Sequence, residues 1–208
     1  MVYQSFLNLF LKTNCPLCDR PTDRVLCLYC QRHLHRCQLT DPSQYWQPPL
    51  PVFAWGDYSG ILKRAIAQMK YENHPNLAQP LAEELSRAWL QSRVGRKATP
   101  IVVPIPMHAG KRQQRGFDQA ELLARHFCQV TGLPLQVRGL ERVRSTQALF
   151  ELSPTQRQQE VTDAFSLGRG FRRRPTRAVL LLDDIYTTGA TAQSAAQTLQ
   201  QQGVEVCG

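Results

Sequence analysis

Short apolar runs predict the strands of this protein. The runs at residues 101–106 and 178–182 are continuous, which is typical of strands buried on both faces of a parallel sheet. Two further runs, at residues 52–55 and 135–140, predict two more strands. Segments with helical spacing lie between these runs. This alternation predicts an α/β fold with a mostly parallel sheet, crossover connections and flanking helices.

Apolar residues at helical spacing predict four helices. They cover residues 61–69, from 76 or 80 to 90, 118–130, and 192–202. In the first helix Leu62 and Met69 share the apolar face, and Lys70 is expected on the opposite face. Asp118 and Glu121 have the spacing of a capping box at the start of the third helix.

Two polar segments interrupt this pattern. Residues 107–117 follow a predicted strand and are expected to form a loop. Residues 145–163 are long, polar and Gln-rich, which is typical of a functional lid or of a mobile segment.

The first 12 residues are apolar but lack the basic start and the small-residue cleavage site of a signal peptide. Phe6, Leu9 and Phe10 would share one face of an amphipathic helix. The sequence shows no membrane-spanning run, so we expect a cytoplasmic protein without membrane insertion. In that reducing compartment the seven cysteines are not expected to form a disulfide framework.

Two CxxC pairs lie close together near the amino terminus. Cys15 and Cys18 form the first pair, and Cys27 and Cys30 form the second. Two residues between thiolates allow both sulfurs to face one tetrahedral centre, so the four cysteines predict a structural Zn²⁺ site. His33 and Cys37 are bystanders or replacements for a weak ligand. The predicted organisation is a helix and zinc-finger-like segment over residues 1–40, a Pro-rich linker over 41–51, and an α/β domain over 52–208.

The net charge is +9, from 25 basic and 16 acidic residues. Such an excess favours a polyanionic partner, either nucleic acid or a phosphorylated small molecule, although a solvated basic surface also produces it. The sequence contains neither GxGxxG nor GxxxxGK[ST], which excludes the Rossmann fingerprint and the Walker phosphate loop. Aromatic residues make up 8% of the chain, so any DNA binding is expected to be electrostatic. Five arginines precede the run at residues 178–182: Arg169, Arg172, Arg173, Arg174 and Arg177.

The candidate binding residues follow the apolar run at residues 178–182. Asp183 and Asp184 follow it, and a Thr/Gly-rich turn then leads into a helix. The turn offers backbone N–H groups, hydroxyls and the positive end of a helix dipole, which together suit a phosphate dianion. A simple helix cap would account for one acidic residue and one threonine, but the turn contains two acidic residues and three threonines.

Residues 179–191 resemble the signature of type I phosphoribosyltransferases, which has four apolar residues, two acids, a variable pair and then Thr-Thr-Gly-x-Thr. The resemblance implies that Asp183 and Asp184 are the catalytic carboxylates that contact the ribose hydroxyls. It assigns the 5′-phosphate to the following turn: Thr187, Thr188, Gly189, Ala190 and Thr191. It also places the pyrophosphate near residues 108–117, where Lys111, Arg112 and Arg115 are either phosphate contacts or part of a solvated basic loop.

The whole chain resembles ComF-type competence proteins. The matching positions are the two CxxC pairs, Tyr58-Ser59-Gly60, Lys70-Tyr71, Val103-Pro104-Ile105-Pro106, Arg115-Gly116-Phe117-Asp118-Gln119, Gln147, Arg157 and Ala164-Phe165. The resemblance implies a type I phosphoribosyltransferase-like fold and a role in DNA uptake during natural competence. The implied partners are phosphoribosyl pyrophosphate with Mg²⁺ or a nucleotide-like ligand, single-stranded DNA, and a competence DNA translocase or recombination protein.

The chain departs from the family pattern at three places. Asp118 replaces a usual Asn, and Glu160 and Asp163 replace an Asn and a Gly in the expected lid. The chain ends at Gly208, short of the usual terminal strand and tail, which leaves either an incomplete last strand or a truncated product. The sequence shows no evident acid/base or base-recognition residue. Two functions therefore stay open, a phosphoribosyltransferase and a non-catalytic single-stranded-DNA-binding accessory protein of the competence machinery.

Overall fold

The computed structural model describes residues 13–97, 99–144 and 164–208. The predicted amino-terminal helix and the predicted lid at 145–163 lie outside the described residues. Within the described part, no helix is both long enough and apolar enough to cross a bilayer.

The cysteine segment forms a small hairpin followed by a helix. Strand β1 (Thr13–Asn14) pairs antiparallel with β2 (Pro21–Thr22), and helix α1 (Leu28–His35) follows. The amide of Cys15 donates to the Arg20 carbonyl over 2.9 Å, which closes the turn that carries the first CxxC pair. Cys27 caps α1, because its sulfur accepts the amide hydrogen of Cys30.

Residues 38–56 fold back on themselves. Gln38 pairs with Gly56, and Tyr45 pairs with Val52, each as an isolated antiparallel bridge. The predicted strand at 52–55 is therefore wrong. Among the described residues, Val52 makes a single bridge and no neighbouring strand extends the ladder. Without a partner strand an apolar run does not form a sheet.

Five helices and the first core strand come next. Helix α2 (Gly60–Tyr71) and a 3₁₀ turn (Pro75–Leu77) lead into α3 (Ala78–Gln91) and the short α4 (Arg93–Lys97). Strand β3 (Ile101–Pro104) is followed by α5 (Ala109–Arg115) and α6 (Gln119–Thr131). The predicted loop at 107–117 is thus mostly helical, because His108 caps α5 through Nδ1 and Gly116 ends it in the left-handed conformation.

The remaining elements form a small antiparallel sheet and complete the parallel β3–β6 pair. Strand β4 (Leu140–Arg142) pairs antiparallel with β5 (Phe165–Leu167), and a 3₁₀ turn (Arg169–Phe171) leads towards β6 (Val179–Leu182) and α7 (Ala190–Gln201). Strands β3 and β6 pair in parallel, from Ile101 opposite Val179 to Pro104 opposite Leu182. Leu135 joins β3 and Val206 joins β6, both in parallel. The described residues thus form a mixed α/β structure with small sheets, in which β3 and β6 are parallel as predicted and Leu135 makes a bridge where a strand was predicted.

Both faces of this sheet are covered, which explains the continuous apolar runs. Val102 and Leu180 belong to a core cluster that also contains Trp89 and the cysteine segment. Val103 and Val179 belong to a second cluster, which packs against α7 through Leu199 and other residues. Successive side chains of a strand point to opposite faces, so each strand contributes to both clusters.

Candidate functional site

The turn between β6 and α7 forms the centre of the candidate site. β6 ends at Leu182, and the Asp184 amide then donates to Asp183 Oδ1 over 2.8 Å, so the chain is already bending at the second carboxylate. Helix α7 begins after Gly189, which has no side chain to cap it, and the exposed Thr187 and Thr188 precede it. The Ala190 amide donates to Thr188 Oγ1 over 3.4 Å. Amides and hydroxyls at a helix N-terminus form an arrangement that binds anions.

Gly189 cannot be replaced by a larger residue without strain. Its φ of 78° lies in the left-handed region, and an added Cβ would overlap the Tyr186 hydroxyl. Tyr186 thereby lies over the turn and fixes its path. This close approach explains the glycine of the Thr-Thr-Gly-x-Thr motif.

Lys70 forms an ion pair with the second carboxylate. Its Nζ lies 2.6 Å from Asp184 Oδ2, and the two side chains are only 17% and 10% exposed. The sequence predicts Lys70 on the face opposite Leu62 and Met69 but does not predict this ion pair. Lys70 occupies the last turn of α2, from which its long stem reaches the end of β6.

The two adjacent carboxylates disfavour simultaneous ionisation. Burial of the strand end raises the pKa of Asp183 and the Asp184 charge raises it further, to about 8, whereas Lys70 lowers it. Asp183 is on the exposed surface of the turn, so solvent weakens the contribution of burial to this rise. The charge on Asp184 therefore favours the protonated form of Asp183.

Asp118 connects the site to the end of β3. Its Oδ1 accepts the Glu121 amide over 3.2 Å, which confirms the predicted cap, and its Oδ2 accepts the Met107 amide over 2.9 Å. Burial raises the pKa of this carboxyl. Arg142, on β4, interacts electrostatically with both Asp183 and Asp118, and its guanidinium lies 5.2 Å from the centre of the Phe165 ring.

The three candidate pyrophosphate residues lie on α5 with different partners. Arg112 forms an ion pair with Glu121 over 3.1 Å. The Arg115 guanidinium lies 5.7 Å from the centre of the Tyr71 ring. Tyr71 directly follows Lys70 in the sequence. Lys111 is half-buried. Because Lys70 pairs with Asp184 and Tyr71 contacts Arg115, the end of α2 links α5 to the two carboxylates.

A cleft of about 560 Å³ extends from the two carboxylates into the apolar core. Its polar end includes Asp183, Asp184 and Thr187, and its walls come from residues 50–58, α2, α3 and α6. Most of this lining is apolar. The volume falls within the range of small-molecule and cofactor sites.

The four predicted metal ligands lie together. The sulfurs of Cys15, Cys18, Cys27 and Cys30 all lie within 4.8 Å of one another, and Cys18 Sγ is 3.4 Å from Cys27 Sγ. A tetrahedral ion with metal–sulfur bonds of about 2.3 Å needs sulfurs about 3.8 Å apart, so the cluster fits a metal such as zinc. Burial raises the pKa of Cys27, but amide and thiol hydrogen bonds outweigh it and lower that pKa to about 7.

The neighbouring histidines and Cys37 have other contacts. The His33 ring lies 4.3 Å from the ring of Tyr29, and the Cys37 thiol donates to the His33 carbonyl. His35 Nδ1 lies 2.9 Å from Glu84 Oε2, which joins α1 to α3. Among the described residues, the four-cysteine group is the one with metal-site geometry.

The arginine cluster lies at the opposite end of β6. Arg172, Arg173, Arg174 and Arg177 are exposed and precede the strand, whereas the carboxylates follow it. Arg169 lies 3.5 Å from Glu141. This basic surface is therefore separate from the cleft.

Sequence reasoning missed two residues of the site. Lys70 was seen only as part of a helix pattern and a family motif, because its ion pair with Asp184 spans more than 100 residues of sequence. Arg142 belongs to a short strand, and no motif marked it.

Comparisons with known proteins show homology to competence and DNA utilization proteins. No family model matches the chain. It is 28% identical over 179 residues to "Competence protein F" of Haemophilus influenzae, covering 85% of this chain and 76% of that protein. It is 28% identical over 200 residues to "DNA utilization protein YhgH" of Escherichia coli K12, and this match covers 91% of this chain and 85% of that protein. The "Competence protein ComFC" of Bacillus subtilis is 26% identical over 190 residues, and this match covers 91% of this chain and 72% of that protein.

Proposed function

We propose that this homologue of competence protein F, ComFC and YhgH binds phosphoribosyl pyrophosphate, or a related ribose 5-phosphate ligand, as part of DNA uptake or utilization. The observation that carries the proposal is the junction of β6 and α7. Two carboxylates and Thr187 line the polar end of one cleft there, and a threonine-rich helix start follows them. The two carboxylates suit the hydroxyls of a sugar, and the threonine-rich helix start suits its phosphate.

Each part of the junction has a distinct role in this proposal. Asp183 and Asp184 accept hydrogen bonds from the ribose hydroxyls, and Lys70 holds Asp184 in position. Thr187, Thr188 and the amides from Gly189 to Thr191 receive the 5′-phosphate. Mg²⁺ bound to the pyrophosphate of the ligand would neutralise its charge.

The α5 segment is the proposed contact for the pyrophosphate. Lys111 and Arg115 are the stronger candidates, because Arg112 already pairs with Glu121. Arg115 also stacks on Tyr71, beside the lysine that holds Asp184. A turn-over reaction would release pyrophosphate, which a coupled assay detects separately from binding.

The cysteine cluster is proposed to hold structural Zn²⁺. Four cysteine ligands close the coordination sphere, so the ion contributes to folding and leaves no open position for a reacting group.

Calorimetry with phosphoribosyl pyrophosphate and Mg²⁺ tests the ligand directly. We expect binding by the parent chain and a loss of at least about tenfold in Asp183→Asn or Asp184→Asn, because each replaces a carboxylate acceptor with an amide. Asp23→Asn, an exposed carboxylate outside the cleft, is the matched control and is expected to leave the affinity unchanged. Absence of binding by the folded parent would refute the proposal.

A second candidate function is electrostatic binding of single-stranded DNA. The exposed arginines between 172 and 177 favour it, and they lie at the opposite end of β6 from the cleft. Log affinity should fall with log salt by about 0.7 per neutralised phosphate. Replacing Arg172 and Arg173 by Gln should reduce that slope by about 1.4 if both contact phosphates.

The same DNA titration separates the two functions. Arg93→Gln with Arg96→Gln removes two exposed charges from α4 and should leave the slope unchanged. Asp183→Asn should also leave DNA affinity unchanged, because the carboxylates lie at the other end of the strand. An unchanged slope in the Arg172/Arg173 variant would rule out this surface.

A further inference from the structure

Asp118 connects the two ends of the segment that carries α5. Its Oδ2 accepts the Met107 amide over 2.9 Å, just before α5, and its Oδ1 accepts the Glu121 amide over 3.2 Å, in the first turn of α6. Asp118 is only 5% exposed. An Asn side chain carries one acceptor and one donor group, so in the same orientation it could accept only one of these two amides. The double contact therefore requires a carboxylate at this position.

Glu121 contacts the same segment through an ion pair. Its Oε2 lies 3.1 Å from Arg112 Nη2, and its Oε1 lies 2.7 Å from Nη2 of Arg125, one turn further along α6. Arg112 belongs to the last turn of α5. The start of α6 thus contacts the α5 segment at two places, just before the helix and in its last turn.

Helix α5 depends on such contacts for its position. It has seven residues, and none of its side chains is buried. A helix this short is not stable alone, so neighbouring elements must fix it. The basic side chains of Lys111 and Arg115 take their positions from it. Side chains that are fixed before a ligand arrives lose less conformational entropy on binding, which raises affinity.

We infer that Asp118 and Glu121 are positioning residues, which hold the basic side chains of α5 in place for the pyrophosphate group of the ligand. The inference rests on the proposed function, in which α5 is the pyrophosphate contact. Both carboxylates act through the α5 segment and not by touching the ligand, because a carboxylate repels an anion. Removal of either carboxylate should therefore weaken pyrophosphate binding, whereas the loss of a negative charge alone would strengthen it.

Calorimetric titration of the full chain with pyrophosphate and Mg²⁺, and separately with ribose 5-phosphate, tests the inference. Asp118→Asn leaves one of the two amides without its acceptor, and it should reduce the affinity for pyrophosphate about three- to tenfold. The affinity for ribose 5-phosphate should stay unchanged, because that ligand is assigned to the junction of β6 and α7. Asp41→Asn is the matched control. Asp41 also accepts a backbone amide, from Ser43, but it is exposed and lies outside the cleft lining, so neither affinity should change.

A second variant covers the case in which Asp118→Asn fails to fold. Glu121→Gln keeps the backbone amide that Asp118 accepts but weakens the ion pair with Arg112, and it should reduce the affinity for pyrophosphate about threefold. Arg125→Gln removes the other partner of Glu121, within α6, and should leave both affinities unchanged.

The outcomes separate this inference from the proposed function. An affinity for pyrophosphate that is unchanged or raised in either folded variant would overturn the inference and leave the ribose 5-phosphate site intact. An equal loss of affinity for both ligands would also overturn it, because it would indicate a general structural role. A parent that binds ribose 5-phosphate but not pyrophosphate would overturn it as well. Failure of the parent to bind ribose 5-phosphate would instead refute the proposed function.

Discussion

At the scale of single residues, the site depends on how two adjacent carboxylates share charge. Asp184 is held by Lys70 at 2.6 Å, and the pKa of Asp183 is raised to about 8 by burial and by its neighbour. A ribose ligand offers hydroxyl donors to both carboxylates. Binding should therefore favour the ionised form of Asp183 and lower its pKa.

Asp183→Asn should change how stability depends on pH. The folded pKa lies above the unfolded value near 3.8, so the stabilising contribution of Asp183 is complete below the unfolded pKa and is lost as pH rises through about 8. The variant should therefore gain thermal stability relative to the parent between pH 4 and pH 9. Thermal unfolding at a series of pH values measures this, and a difference that is constant with pH would contradict it.

Lys70→Met should raise the pKa of Asp183 further. Lys70 lowers that pKa in the parent, and its removal leaves two carboxylates without their nearest cation. Carboxyl NMR titration of Asp183 measures the change directly. Lys63→Met is the control, because Lys63 is exposed on the same helix. The same pKa in Lys70→Met and the parent would show that the ion pair has no electrostatic role.

At the scale of elements, the cysteine segment and the α/β core are packed together. Cys15, Leu17 and Leu34 belong to the same buried cluster as Met69 and Trp89. A change in the metal cluster should therefore affect the stability of the whole chain, since a segment this small cannot bury a core alone.

Cys18→Ser should remove bound metal and destabilise the protein. Metal analysis of the purified parent should give about one equivalent of zinc, and the variant much less, with a lower melting temperature. Cys37→Ser is the matched control, because its thiol lies nearby but donates to the His33 carbonyl. Parent protein that contains no metal would contradict the assignment.

Glu84 joins α1 to α3 and offers a second test at this scale. Its buried carboxylate lies 2.9 Å from His35 Nδ1 and 2.8 Å from Arg87 Nη1. Glu84→Gln should lower the free energy of unfolding by about 1–3 kcal/mol, because a buried charged hydrogen bond is lost. Glu83→Gln, at a more exposed position on the same helix, should change it by less than about 0.5 kcal/mol. Equal effects in urea denaturation would argue against a role for this contact.

At the scale of the whole molecule, the sequence predicted the parts that local patterns determine. The parallel strands around β6, the capped helix α6 and the grouping of the four cysteines are confirmed. Each follows from short-range spacing, because an apolar run, a capping box or a CxxC pair is defined by residues that lie within a few positions of one another.

The errors came from interactions between distant parts of the chain. The run at 52–55 has strand composition, but in the part of the chain that the structure describes Val52 makes one bridge, to Tyr45. The sequence pattern indicates only that Lys70 belongs to the polar face of its helix. Its ion pair with Asp184 forms because the end of α2 lies beside the end of β6. Arg142 gains its role from tertiary packing that brings it near Asp183 and Asp118. Such pairings depend on tertiary geometry, which spacing along the sequence does not contain.

The central claim is that one junction recognises both a sugar and its phosphate. The most direct measurement compares calorimetric affinities of ribose 5-phosphate and inorganic phosphate for the parent and for the Asp183→Asn/Asp184→Asn double variant. We expect the parent to bind ribose 5-phosphate about tenfold or more tightly than inorganic phosphate, since the carboxylates accept the sugar hydroxyls. The double variant should retain phosphate binding and lose that preference. A parent that shows no preference, or a double variant that keeps it, would contradict the claim.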